Sequence, residues 1–298
     1  MLLKYSLDYF SEVTVFMMYG LLVSAALLFA LQFLFNQQFQ KSHGDGRDSA
    51  VTLSLYMHGI SFLIMLVLNG FRLSFTWFSV LMAVIYAAVV LGYSFASLKA
   101  FKTANLSVFS IFAMLGGMLL PFAYGVIFCK EEFNLAKALC VILIGAATAM
   151  SFEKGKKNKG NMKYYLAVFL LNGSVGVVSK IHQSAPELAV DSRSFMATVN
   201  ICVVIFSVAY HLIVNRKLPK LSLRELGCVS GYAVCNGIGN LFCLIALVTL
   251  PASVQFPIIT GGTMFFSTAV SIIRKEKPSA KTVVAALVAF AATVLIMF

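Results

Sequence analysis

Leu250 to Lys281 reads LPASVQFPIITGGTMFFSTAVSIIRKEKPSAK. A polar, proline-containing entry (Pro251, Ser253, Gln255, Pro257) leads into a glycine pair (Gly261, Gly262) and an apolar run. The run ends in a charged exit, Arg274-Lys275-Glu276-Lys277, closed by Pro278. A weaker copy lies earlier, from Thr103 to Lys137: TANLSVFSIFAMLGGMLLPFAYGVIFCKEEFNLAK. Gly116-Gly117 and Lys130-Glu131 precede Gly261-Gly262 and Lys275-Glu276 by 145 positions, and Thr103, Ser107 and Val108 precede Thr249, Ser253 and Val254 by 146. The same order of polar entry, glycine pair and Lys-Glu exit, repeated at half the chain length, points to an internal duplication.

Of the 298 residues, 60% are hydrophobic and 11% charged, too apolar a balance for a soluble globule and the balance of a polytopic membrane protein. The net charge of +12 is spread in short basic clusters between apolar runs, as loop charges facing anionic headgroups are. No continuous basic face or basic-aromatic module occurs, so nucleic acid is not an expected partner. The expected partners are the lipid bilayer and a small-molecule substrate, and the chain is read as a monomer. The six cysteines contain no CxxC pair and read as small apolar packing residues, with no metal or cofactor expected.

A bilayer core of about 30 Å needs roughly 20 apolar residues per helix. Ten runs meet this, near 13–35, 50–69, 76–98, 104–128, 133–151, 162–182, 193–214, 225–248, 252–273 and 280–297. The first, from Val13 to Leu31, is longer than a signal-peptide core and lacks a small-residue cleavage site, so it reads as a span. The runs are continuously apolar, which favours helices over the alternating strands of a barrel. The expected fold is an all-α membrane protein of ten transmembrane helices. Residues 1–152 form a first five-helix repeat, 153–163 a basic connecting loop, and 164–298 a second repeat. Five is odd, so the second copy enters from the opposite side and the repeat is inverted.

Lys4, Arg72, Lys130, Lys137, Lys180 and Arg193 fall on one side of the membrane, and the other 17 basic residues on the opposite side. The positive-inside rule therefore places loops 1-2, 3-4, 5-6, 7-8 and 9-10 in the cytoplasm and both termini outside an inner cell membrane.

Phe242-Cys243-Leu244-Ile245-Ala246-Leu247, then Leu250-Pro251-Ala252-Ser253, then Lys275-Glu276-Lys277-Pro278 resemble the drug/metabolite transporter superfamily, in particular its EamA-like ten-helix members. The resemblance implies two five-helix bundles around a central cavity lined by helices one to four and six to nine, with helices five and ten peripheral. It also implies cytoplasmic termini, against the charge count. The smallest members of that superfamily exchange protons for cationic drugs through a glutamate in their first helix. Here that helix carries Gln32, Asn36 and Gln37 in its latter half instead.

All eleven acidic residues fall at helix ends or in loops, which leaves a neutral polar set at membrane depth, where polar groups are expensive and face a cavity or a partner helix. Gln32 and Asn36 share one face of helix one, and Asn236 and Asn240 one face of helix eight. Asn172 and Asn200 lie inside helices six and seven, His58 inside helix two, and Gln255 at the polar entry of helix nine. Tyr93 and Tyr232 could stack on a substrate. These are the expected substrate contacts, since amides both donate and accept. The plainer alternative is interhelical glue at about 0.6 kcal/mol per bond. Lys180, at the end of helix six, is read as a mouth or gating residue, or as a lysine that snorkels to the interface. The glycine pairs read as sites of close helix approach.

The expected function is a secondary transporter, exporter or exchanger, of a small polar metabolite such as an amino acid, working by alternating access between the two repeats. A multidrug or quaternary-amine efflux transporter is the alternative, ahead of an intramembrane enzyme or a non-transporting scaffold. HExxH, paired-aspartate and GxSG patterns are absent from the sequence, so no catalytic residues are assigned and an enzyme is not expected.

Overall fold

The computed structural model describes residues 2–44, 46–103, 106–150, 162–275 and 278–295, with side chains from Thr14 onward except at positions 37, 98–111 and 162. The connecting loop expected at 153–163 lies outside the described residues apart from positions 162 and 163, as does Glu276; the side chains of Lys4, Thr103, Ser107 and Val108 are also outside.

Among the described residues every regular element is helical: α1 (Leu2–His43), α2 (Arg47–Leu68), α3 (Trp77–Thr103), α4 (Leu106–Phe128), α5 (Leu135–Met150), α6 (Met162–Gln183), α7 (Ser192–Tyr210), α8 (Leu223–Thr249), α9 (Ala252–Ile273) and α10 (Ala280–Leu295). A π-helical turn, His211–Asn215, extends α7. Among the described residues seven helices (α1, α2, α3, α6, α7, α8 and α9) are long and apolar enough to cross a membrane. The shorter apolar helices include α5 and α10, which at 16 residues each rise only about 24 Å.

Helix α1 differs from its expected extent. The first apolar run ends near position 35, yet the helix continues to His43. Phe39 is buried among Val229, Cys228 and Met57, and His43 Nδ1 meets Glu225 Oε1 at 2.8 Å. Tertiary packing on the start of α8 thus holds a polar segment helical where hydropathy marks an end.

The helices interleave across the midpoint of the chain. α1 packs on α8 and α9, while α6 packs on α3 and α4; α2 packs on α7 and α8, while α7 also packs on α3; α4 meets α9 and α5 meets α10. Shifting every helix number by five turns α1–α8, α1–α9 and α2–α8 into α6–α3, α6–α4 and α7–α3 and returns α2–α7, α4–α9 and α5–α10 to themselves, while the packing of α9 on α10 has only a slight counterpart between α4 and α5. Beside smaller apolar cores around Val168 and Phe39, two larger ones result. One joins Leu22, Met118, Ile144, Ile258 and Ala289, the other Met65, Ala83, Phe195, Val199 and Leu244.

The α2 and α7 helices run antiparallel. Near the start of α2, Thr52 approaches His211 just past the end of α7, at 3.5 Å. Just past the end of α2, Asn69 donates to Ser194 at the start of α7, at 3.0 Å. The described non-glycine residues with left-handed backbone are Phe71, Lys130, Arg216 and Lys275 (φ 60°, 54°, 52° and 61°). Phe71 and Arg216 are 145 positions apart, and so are Lys130 and Lys275. The spacing of the two glycine pairs therefore recurs in backbone conformation at two further places.

Both glycine pairs sit where helices touch. A Cβ on Gly116 would lie 2.2 Å from the Phe169 carbonyl oxygen on α6, and one on Gly261 would lie 2.8 Å from the Ala289 carbonyl oxygen on α10. Gly117 faces Asn172, and Gly262 faces Ala26. Close backbone approach of the kind that small residues permit is what these pairs supply.

Candidate functional site: an amide chain and a buried ion pair

Three of the expected amides meet. Asn236 on α8 donates through Nδ2 to Gln32 Oε1 on α1 at 2.8 Å. Asn240, one turn along α8, donates to the Asn236 carbonyl at 2.8 Å and to Asn236 Oδ1 at 3.2 Å. Residues four apart stack on one helix face, which is why Asn236 and Asn240 can share a partner. All three side chains are half-buried. The chain keeps unspent capacity, because a primary amide offers two donors and two acceptor lone pairs. Asn36, one turn beyond Gln32, is half-buried and accepts from Gln40 of its own helix at 3.2 Å.

The remaining polar residues divide into separate places. His58 Nδ1 and Asn200 Oδ1 are 2.6 Å apart between α2 and α7, both side chains buried. An amide oxygen only accepts, so that ring nitrogen carries the proton. Asn172 donates to the Ala113 carbonyl at 2.6 Å and pins α6 to α4, the interhelical glue that the sequence offered as the plainer alternative. Tyr93 on α3 and Tyr232 on α8 are half-buried and close enough for their hydroxyls to interact electrostatically. Gln255 is 1% exposed in the first turns of α9, and its Oε1 has no hydrogen-bond partner among the described residues.

Lys180 does not snorkel. Its Nζ lies 2.8 Å from Glu131 Oε1, with both side chains largely buried. The sequence reads Glu131 as a loop carboxylate without supporting histidines, and the structure makes it an internal anchor. Lys130 takes left-handed backbone, and the Glu131 N–H reaches back to the Gly125 carbonyl at 3.1 Å. The turn folds the carboxylate onto α4, where a Cβ on Gly125 would sit 2.6 Å from Glu131 Oε2. Burial pushes the Glu131 carboxyl up, but the Lys180 ammonium and the N–H groups of Ser253 and Ala252 outweigh it and hold the group below the ordinary carboxylate range. The available sequence signal was Gly125 six residues before Glu131; its partners, 49 and more residues away, carried none.

Among the described residues no group of three or more His, Cys, Asp or Glu side chains is placed to hold a metal ion. No family model and no curated protein matches the chain. Its fold does recur, with 29 solved chains matching. One, a protein crystal structure, aligns over 93% of this chain and 95% of its own with a TM-score of 0.76 at 15% identity, a likeness of fold alone.

Proposed function

We propose that the chain is a secondary transporter of a small polar metabolite such as an amino acid, moved by alternating access between two inverted five-helix repeats. The observation that carries the reading is the half-buried chain Gln32, Asn236 and Asn240, which joins an α1 helix of one half to an α8 helix of the other. Amides at membrane depth are costly unless they serve a path or a neighbour. Here they lie between the two units that would have to move.

Several features support the inverted repeat. Most of the helix pairings exchange with one another or return to themselves on a shift of five. Helices α2 and α7, which would be repeat mates, are antiparallel. The left-handed residues fall in two pairs 145 positions apart. The short helices α5 and α10 pair with each other, which fits peripheral spans of a ten-helix bundle. These features also agree with the sequence resemblance to EamA-like drug/metabolite transporters. An inner cell membrane, with the more basic set of loops in the cytoplasm, completes the reading.

The test is uptake into proteoliposomes across amino acids, sugars and quaternary amines. Saturable flux of one polar solute above the leak of empty liposomes is expected. No flux of any of them would reject the proposal.

A further inference from the structure

Helix α9 has no cap of its own. Its N-cap residue is Pro251, which makes no side-chain cap bond. A helix start leaves four N–H groups without intrahelical partners. Pro251 has none to offer, that of Val254 reaches the Pro251 carbonyl at 3.0 Å, and Gln255 makes the first regular helical bond to the same carbonyl, also at 3.0 Å. Those of Ala252 and Ser253 go to Glu131, which accepts from Ala252 through Oε1 at 2.9 Å and from Ser253 through Oε2 at 2.8 Å. One carboxylate from the first half of the chain thus caps a helix of the second half and pairs with Lys180 on another. A helix N-terminus and an ammonium both favour negative charge, so the three contacts reinforce one another.

The same face carries further bonds between the halves. Ser194 accepts from the Ser74 N–H at 3.1 Å, Arg193 donates to the Leu68 carbonyl at 3.2 Å, and Ser79 meets His182 at 2.9 Å and the Val190 N–H at 3.0 Å. At the other face the pair between the halves is His43 with Glu225 at 2.8 Å, and there the carboxylate folds back on the start of its own helix, accepting from the Ser222 N–H at 2.8 Å. The position 145 before Lys180 is Phe35, an uncharged side chain packed against Gly231.

We propose that Glu131 is a latch: bound to Lys180 and to the start of α9, it holds the face formed by the α2–α3, α4–α5, α6–α7 and α8–α9 connections shut, and that face opens only when Glu131 leaves α9. The two mouths of the path are therefore unequal, and the resting protein opens to the opposite face. This rests on the transporter reading. Removing one member of the pair strands a buried charge, so the informative variant is the double replacement Glu131→Gln with Lys180→Met, which removes both charges at similar shape.

The experiment uses the full chain with its native cysteines replaced and one reporter cysteine at a time. Ser253→Cys reports on the latched face, and Asn36→Cys, near the opposite end of α1, reports on the other. Labelling by a membrane-impermeant maleimide, applied to purified protein in detergent so that both faces are reachable, is compared with and without the double replacement. The expected result is a rise of about tenfold in the rate at Ser253→Cys, the response to about 1.4 kcal/mol of lost latch energy, together with a fall at Asn36→Cys. An unchanged rate at Ser253→Cys overturns the latch. So does a rise at Ser253→Cys without a fall at Asn36→Cys, which would make the pair ordinary packing. Labelling needs no transported solute, so failure of the latch and failure of the uptake assay are read separately.

Discussion

His58 and Asn200 face each other at 2.6 Å across α2 and α7, and each keeps one polar atom, Nε2 of the ring and Nδ2 of the amide, without a partner among the described residues. Removing one member of such a pair leaves the other unsatisfied, at about 1–3 kcal/mol, while removing both with apolar groups of similar shape is close to neutral. Asn200→Leu is therefore expected to lower thermal stability, and the double replacement with His58→Leu to recover most of it. A double variant as unstable as the sum of its singles would refute the pairing.

Asn236 is the hub of the amide chain, with Gln32 on one side and Asn240 on the other. Asn236→Leu should abolish uptake while costing only about 1 kcal/mol in stability, since interhelical hydrogen bonds in membranes average about 0.6 kcal/mol each. Flux and thermal unfolding of the same preparation check this. Normal flux with lowered stability would make the chain glue.

Gly116 and Gly227 give opposite expectations for the same replacement. Alanine at 116 drives a methyl into the Phe169 backbone, whereas nothing lies within 4 Å of a Cβ at 227. Gly116→Ala should cost about 1–3 kcal/mol, as overpacking does, and Gly227→Ala should leave stability unchanged or slightly higher. Parallel melting curves decide between them.

Glu131 titrates below the ordinary carboxyl value of 4.5. A depressed acid contributes stability that is fully present above its unfolded value and is lost as pH falls through its folded value. The groups facing it are Lys180 and the N–H groups of Ala252 and Ser253. Wild-type protein is expected to lose thermal stability below about pH 4.5, and Glu131→Gln to show a shallower loss. Equal slopes for the two proteins would remove Glu131 from the balance.

Charge and family resemblance place the termini on opposite sides. The charge-based arrangement predicts that a fluorescent tag fused after Phe298 stays dark in cells while an alkaline phosphatase fusion there is active. A bright tag would reverse the orientation.

Most of the helical layout was legible in hydropathy. The run at 252–273 coincides with α9, and the glycine pairs marked the close crossings before any coordinates. Legibility failed where partners are distant. The last turns of α1 stay helical because α8 covers Phe39, and no local pattern announces that. Lys180 and Glu131 looked like two interface charges, because 49 residues separate them and only the α4–α5 turn brings them together. The amides were visible as residue types and helical spacings, but which of them would meet, and that Asn172 would go to Ala113 instead, depended on helix crossings that composition does not encode.

The interleaved pairing of helices bears on how the protein is made. Helix α1 finds its main partners in α8 and α9, and α4 finds its own in α6 and α9. During synthesis the first five helices are made before those partners exist, and they make few contacts with one another. The glycine surface of α4 and the carboxylate of Glu131 stay without α6, Lys180 and α9 until the second half of the chain follows. Formation of the early helices and their packing are thus separate events for this molecule, and the first half has no finished core of its own to fold around.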